Sequence, residues 1–294
     1  MPTTCPSKAR ATASAREASC LGADRYFVGA RSSQSIDIRF HSGYLCGAPA
    51  ARSACACPTL RQVHSTMNVT EVLSTVADWI TFEDFVRVVD SHFKGPRTTQ
   101  ETADYRLGKG RKTFKKFRDE IIPAYHFVIA TGRPGWIRFS LSDSVPDCWI
   151  RDEGQLLPRG IEITRANVKE QVWRARELNR QGRGRGFLGL SDDDSDATYA
   201  KKMREEPQIY ITDQALEARL SGIVRCIERK NEPSEARDYS GCELLVEGFI
   251  HEKELSMQYW DDILPRLRDA AAHSVFERVH LIGCSSAEFY RRLK

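Results

Sequence analysis

The chain has 294 residues, of which 41% are hydrophobic and 29% charged, the balance of an ordinary globular protein. No run approaches the roughly 18 consecutive apolar residues that a membrane-spanning helix needs, so the composition excludes such a helix. The net charge of +4 comes from the first 66 residues, and the remaining 228 residues are close to neutral. Overall charge therefore gives no argument for a nucleic-acid partner. Any such argument must come from local patches of charge.

The first 66 residues differ in kind from the rest, because they are rich in Ala, Ser and Arg and show no sustained helical or strand period. Such a segment buries too little apolar surface to offset its ordering entropy, so we predict a disordered or spurious extension. There are two alternatives for this segment: it is an organelle transit peptide, or translation truly begins at Met67. Nine cysteines without paired spacing argue against a disulfide framework, and we expect a cytoplasmic protein.

The first regular elements are helices. Thr81 and Asp84 form a variant capping box, and an amphipathic helix follows that Gly95-Pro96 ends. Residues 97–111 are polar and predicted to be a loop. A second helix is expected over 112–129, bent or split by its internal proline.

Strand-like runs follow at 136–141, 145–150 and 160–164, with a Ser-Asp-Ser turn between the first two. A modest apolar stripe predicts a helix over 167–180. Residues 181–207 are rich first in Gly and Arg and then in acids, which predicts a flexible loop.

The last third alternates helices and strands. Helical periodicity is clearest at 213–231 and recurs at 257–272, and apolar runs predict strands at 242–250 and 279–282. A final short helix is expected at 287–293.

This order predicts an α/β fold with a mixed central sheet flanked by helices, in which the later strands are parallel to a neighbour. We divide the chain into the N-terminal extension 1–66, an N-terminal helical segment 67–111, and an α/β domain 112–294.

One short strand carries the strongest functional signal. Glu162 and Thr164 alternate with Ile161 and Ile163, so the polar pair shares the face opposite the isoleucines. Asp147, from the preceding hairpin, can lie beside Glu162. Two converging carboxylates suit Mg²⁺, which can activate water against a phosphodiester. A solvated acidic hairpin without a metal is the alternative interpretation.

The element order, together with Pro146-Asp147, Glu162 and Glu120, resembles the PD-(D/E)xK nuclease superfamily over roughly 112–250. The resemblance implies the restriction-endonuclease-like fold, which is helix, three-strand meander, helix and strand, here with a C-terminal helix-strand-helix extension. It also implies Mg²⁺-dependent DNA cleavage, with Asp147 and Glu162 as metal ligands and Glu120 as an assisting acid.

The chain departs from the family pattern at Thr164, where the family has a catalytic lysine. In some members the lysine comes from the following helix, where Lys230 and Arg219 are candidates, although Lys230 lies near the far end of that helix. Loss of the lysine favours an alternative function, a catalytically inactive binding or accessory module of a mobile-element or defence system. A globular protein of unrelated α/β fold, with no nucleic-acid partner, is a further alternative.

A basic stretch at the start of the second helix provides a candidate DNA contact. Its cations can neutralise phosphates and release counterions. A solvated helix face, with Phe114 and Phe117 turned inward, is the alternative. The predicted DNA-binding residues are Lys109, Arg111, Lys112, Lys115, Lys116 and Arg118.

Overall fold

The structure of the protein is a computed structural model. It describes residues 67–107, 112–184, 187–206, 208, 212–232, 237–248, 257–284 and 289–294. The predictions made for residues 1–66 lie outside these ranges.

The described chain begins with two helices separated by a two-residue strand. Helix α1 (Val69–Val76) starts at an Asn68 capping box, strand β1 is Ile80–Thr81, and helix α2 is Phe82–Lys94. The Thr81 hydroxyl accepts a hydrogen bond from the backbone N–H of Asp84 at 3.0 Å, which confirms the predicted start of α2.

The loop predicted for 97–111 was wrong over Thr99–Leu107, which form helix α3. This helix buries none of its residues, so it lacks the apolar stripe by which helices are recognised. Its start is nevertheless encoded, since Thr98 and Glu101 form a reciprocal capping box with hydrogen bonds of 2.8 and 3.0 Å.

The second predicted helix is present but interrupted. Helix α4 (Lys112–Lys116) leads into a π-helical segment, Phe117–Ile121, and helix α5 is Ile122–Thr131. Pro123 lies in the first turn of α5, where its missing N–H is tolerated. The π-helical turn widens the helix just before the proline and carries Asp119 and Glu120.

Three antiparallel strands form the predicted meander. They are β2 (Gly135–Phe139), β3 (Cys148–Asp152) and β4 (Arg159–Arg165). Strand β1 adds to the outer edge of β2, a pairing that the sequence reasoning missed because β1 has only two residues.

Helix α6 (Val168–Gln181) follows β4 as predicted. The flexible loop predicted for 181–207 was wrong in part, because helix α7 spans Asp196–Lys202. Tyr199 on α7 is fully buried and stacks on Trp173 at 5.8 Å between ring centroids. The long helix α8 then runs over Thr212–Asn231, close to its predicted limits.

The C-terminal part contains β5 (Cys242–Gly248), α9 (Met257–Ala272), β6 (Arg278–Gly283) and β7 (Tyr290–Arg292). Strands β4, β5 and β6 are parallel, which confirms the predicted crossovers. The final helix predicted for 287–293 was wrong over Tyr290–Arg292, which pairs antiparallel with β6. The predicted C-terminal extension therefore ends as helix, strand, strand.

Within the described residues, seven strands form one mixed sheet whose spatial order follows the chain, β1 to β7. One face packs against α1, α2 and α5, and Ile161 and Ile163 lie in that core. The other face packs against α8 and α9 through residues such as Leu244 and Val246. Glu162 and Thr164 point to the α8 side, as their alternation predicts. None of the described helices is both long and apolar enough to cross a membrane.

Candidate functional site

A polar cavity of about 500 Å³ opens beside the middle of β4. Strand β4, the β2–β3 turn, the π-helical segment and the end of α8 contribute to its wall. The five acids and six cations that line it are Asp119, Glu120, Asp143, Asp147, Glu162, Lys115, Lys116, Arg165, Arg229, Lys230 and Arg237. The predicted acids Glu120, Asp147 and Glu162 therefore lie on one cavity.

Asp147 is fixed where β3 separates from β4. The last paired residues of the two strands are Cys148 and Ile161, and beyond them the Asp147 carboxylate accepts a hydrogen bond from the Ile163 N–H at 2.7 Å. Pro146 occupies the space beside Gly160, where a β-carbon would stand only 2.7 Å from the proline Cγ. A glycine at position 160 thus lets the Pro146-Asp147 corner approach β4.

Glu162 is held by a lysine from α8. Lys230 Nζ lies 2.5 Å from Glu162 Oε1, and the two side chains are only 15% and 5% exposed. The other carboxylate oxygen, Glu162 Oε2, is buried and has no hydrogen-bond partner among the described residues. A buried carboxylate oxygen without a partner is costly, and a bound cation would satisfy it.

Glu120 reaches the cavity from the π-helical segment. Its carboxylate forms an ion pair with Lys116 at 2.6 Å, and both side chains are largely buried. The neighbouring Asp119 turns instead towards Arg165 on β4, at 2.7 Å. The π-helical turn thus presents two successive carboxylates to different cations.

Thr164 lines the cavity but does not supply a charge. Its hydroxyl lies 3.4 Å from the thiol of Cys226 on α8. The next residue, Arg165, forms ion pairs with Asp119 and with Glu247 on β5. Arg165 therefore ties β4 to the π-helical segment and to the parallel strand beside it.

Burial and mutual repulsion leave two of the acids easy to protonate. Burial, and then the charge of Glu162, raise the pKa of Asp147 to about 6. Burial, and then the charge of Asp147, raise the pKa of Glu120 to about 7. In Asp119 the trend reverses, because hydrogen bonds from Arg118 and Arg165 outweigh burial and lower the pKa of that carboxyl.

These shifts predict a pH-dependent cost to stability. The native state holds protons on Glu120 and Asp147 that an unfolded chain, with carboxyl pKa values near 4, has already released. Their contribution to the free energy of unfolding therefore falls as pH rises from about 4 to about 7. We expect the free energy of unfolding of Glu120→Gln, relative to that of the native protein, to increase by about 1–3 kcal/mol as the pH is raised from 5 to 7.5. Urea unfolding in EDTA measures this difference.

The control for this titration is Glu277→Gln, since Glu277 is exposed and lies outside the cavity wall. The difference in free energy of unfolding between Glu277→Gln and the native protein should be the same at both pH values. If Glu120→Gln showed no more pH dependence than Glu277→Gln, Glu120 would not be a destabilised carboxylate.

The donor set of the cavity fits a small hard cation. Asp147 and Glu162 offer carboxylate oxygens, and Mg²⁺ is commonly held by one or two carboxylates with water completing its shell. In the described part of the chain, no three His, Cys, Asp or Glu side chains are arranged to hold a metal ion together. Glu120, engaged with Lys116, is therefore placed as a neighbour of the two carboxylates and not as a third ligand.

The predicted DNA-binding cluster is only partly at the surface. Arg118 does not lie at the surface, because its side chain is buried and donates to Asp119 and to the carbonyl of Arg106. Lys116 is largely buried with Glu120, whereas Lys115 is exposed. Lys109 and Arg111, and the side chain of Lys112, lie outside the described residues. Phe117 is fully buried and Phe114 partly so, as expected.

Lys230 lies closer to the candidate acids than the sequence reasoning expected. Its position near the end of α8 suggested that it was too far away, but α8 packs along β4 and β5 so that this end lies beside Glu162. The other candidate, Arg219, lies instead beside Phe187, 5.8 Å from the ring centroid. Comparison with models of known protein families, with curated proteins and with solved structures found no match to this chain.

Proposed function

We propose that the protein is a divalent-metal-dependent phosphodiester hydrolase that acts on DNA, with a PD-(D/E)xK-like site on a restriction-endonuclease-like scaffold. The observation that carries the proposal is the ion pair between Lys230 Nζ and Glu162 Oε1, at 2.5 Å, on the same cavity as Asp147. It puts a cation beside the two acids although the strand position of the motif lysine is Thr164.

Each residue has a distinct role in this proposal. Asp147 and Glu162 would hold Mg²⁺, which would supply a polarised water and neutralise charge on the phosphate. Lys230 stabilises the negative charge that develops on the phosphate, and its buried position strengthens that interaction. Glu120, whose pKa is raised to about 7, can accept or return a proton at neutral pH. The exposed Arg229 and Arg237 on the cavity wall can contact flanking phosphates.

The test is a nicking assay on supercoiled plasmid with Mg²⁺, with Mn²⁺ and with EDTA. The native protein should nick the plasmid only with a divalent cation, and Glu162→Ala should lose that activity. Glu277→Ala removes an exposed carboxylate away from the cavity and should retain it. Equal nicking by the native protein and Glu162→Ala would exclude Glu162 as a metal ligand.

One observation favours the alternative of an inactive nuclease-fold module. Thr164 stands where the family has lysine, and its hydroxyl packs against the Cys226 thiol. In such a module the cavity binds the cation or the nucleic acid without cleavage. Divalent-cation binding by the native protein, with no nicking under any of the three conditions, would establish this alternative.

A further inference from the structure

A Trp-Ile-Arg tripeptide occurs twice in the chain, as Trp136-Ile137-Arg138 on β2 and Trp149-Ile150-Arg151 on β3. The strands pair antiparallel with Trp136 opposite Arg151 and Arg138 opposite Trp149. The two isoleucines face the core. On the opposite face of the hairpin, tryptophan and arginine therefore alternate along each strand, and each tryptophan lies across from an arginine of the other strand.

A third tryptophan completes this surface, which we call the Trp/Arg face: Trp79, Trp136, Arg138, Trp149 and Arg151. The guanidinium of Arg151 lies 4.8 Å from the ring centroid of Trp136 and 5.6 Å from that of Trp79. Arg138 lies 5.3 Å from the Trp79 centroid. Three of the five tryptophans of the chain thus lie on one small area, and all five residues of the face are half-buried.

The two arginines of this face are unlike the buried arginines near the site. Arg118, Arg159 and Arg165 each form an ion pair with a carboxylate. Across the described residues, the guanidiniums of Arg138 and Arg151 have ring contacts but no hydrogen bond or ion pair. Their N–H groups are therefore available to an external anion, while the tryptophans keep the guanidinium planes in place.

The Trp/Arg face lies on the same side of the sheet as the candidate site. Trp149 is paired with Gly160, and Gly160 shares a strand face with Glu162 two residues further along. Helix α8 packs over β4 and β5 on this side, beyond the edge of the hairpin. A chain that crosses the hairpin on this face would thus run towards the cavity beside β4.

We propose that the Trp/Arg face binds single-stranded DNA and directs it to the cavity. Indole rings and guanidinium planes stack with unpaired bases, and free guanidinium N–H groups bind phosphates. In a duplex the base faces are already stacked on one another, so the face selects unpaired strands. The inference deepens the proposed function by naming the form of its substrate, but binding at this face needs no metal.

The test measures binding in EDTA, by fluorescence anisotropy and by quenching of tryptophan emission. The ligands are a single-stranded oligonucleotide of about 20 nucleotides, its duplex, and an abasic oligonucleotide with the same number of phosphates. We expect the single strand to bind at least tenfold more tightly than either of the others, because only it offers unpaired bases. We also expect it to quench the indole emission.

The variant for this test is Arg138→Gln/Arg151→Gln, which leaves the isoleucines of the core face unchanged. Its affinity for the single strand should fall at least tenfold, and the salt slope of binding should shrink by about 1.4, or about 0.7 for each lost phosphate contact. The control, Arg268→Gln/Arg292→Gln, removes the same charge from exposed positions elsewhere and should bind within threefold of the native protein.

Three results would overturn the inference: equal affinity of the two double variants, equal affinity for normal and abasic strands, or tighter binding of the duplex. If the first variant does not fold, the comparison of ligands on the native protein still decides. Glu162→Ala should bind the single strand normally. Loss of nicking with intact binding therefore tests the metal site, and loss of binding tests the Trp/Arg face.

Discussion

Replacing Asp147 by asparagine should make the protein more stable and inactive at the same time. The asparagine carbonyl can still accept the hydrogen bond from Ile163, so the corner between β3 and β4 is kept. The change removes the buried carboxyl group of Asp147, whose pKa is raised to about 6 by burial and by the charge of Glu162. At pH 8 without metal we expect the free energy of unfolding to rise by about 1–2 kcal/mol.

If the proposed function holds, the same substitution should reduce Mg²⁺-dependent nicking by at least about 100-fold, since a proposed ligand of the cation is lost. Urea unfolding and Mn²⁺ titration calorimetry measure the two effects separately. Asp262→Asn changes an exposed aspartate on α9 and serves as the control. It should alter the free energy of unfolding and the free energy of Mn²⁺ binding by no more than about 0.5 kcal/mol each. A large loss of stability in Asp147→Asn with nicking retained would identify Asp147 as a purely structural residue.

Replacing Lys230 by methionine should have the largest combined effect. Without Lys230, the charge of Glu162 is left buried and unpaired, which typically costs about 3–5 kcal/mol. Nicking should fall by about 100- to 1000-fold, because a charge-stabilising donor is removed. Metal binding should not fall, since Lys230 and the cation compete for the same carboxylate.

This pattern distinguishes Lys230 from the proposed metal ligands, Asp147 and Glu162. In Lys230→Met, Mn²⁺ should bind at least as tightly as in the native protein and should restore part of the lost stability. In Glu162→Ala, both binding and nicking should be lost. The double variant Lys230→Met/Glu162→Gln removes both partners and should recover most of the stability without activity. Lys201→Met, an exposed lysine on α7, is the matched control. Wild-type nicking by Lys230→Met would remove Lys230 from the mechanism.

The main elements of the fold could be predicted because their periodicity is strong. Helix α8 and the strands β4 to β6 follow directly from their apolar patterns. The elements that were missed lack such a pattern. Helix α3 buries no residue, and α7 has only seven residues with one buried tyrosine. The three residues of β7 are a strand because they pair with the edge of β6, a contact that no local pattern encodes.

For the site, strand alternation was enough to place Glu162 and Thr164 on one face, and the turn before β3 was enough to bring Asp147 near. The approach of Lys230 depends on how α8 crosses the sheet, which is a tertiary property. The burial of Arg118 depends in the same way on the packing of α3 and on the π-helical turn. The repeated Trp-Ile-Arg tripeptide was visible in the sequence, and its alternation with a period of two is the signal that could have identified the Trp/Arg face.

Because the sheet is laid down in chain order, a nascent chain leaving the ribosome can add each strand to the edge already formed. The charged residues of the site are not synthesised at the same time. Lys230 follows Glu162 by 68 residues, and β5, which covers the open edge of β4, emerges later still. Until then the growing polypeptide carries an unmatched acid beside an unpaired strand edge.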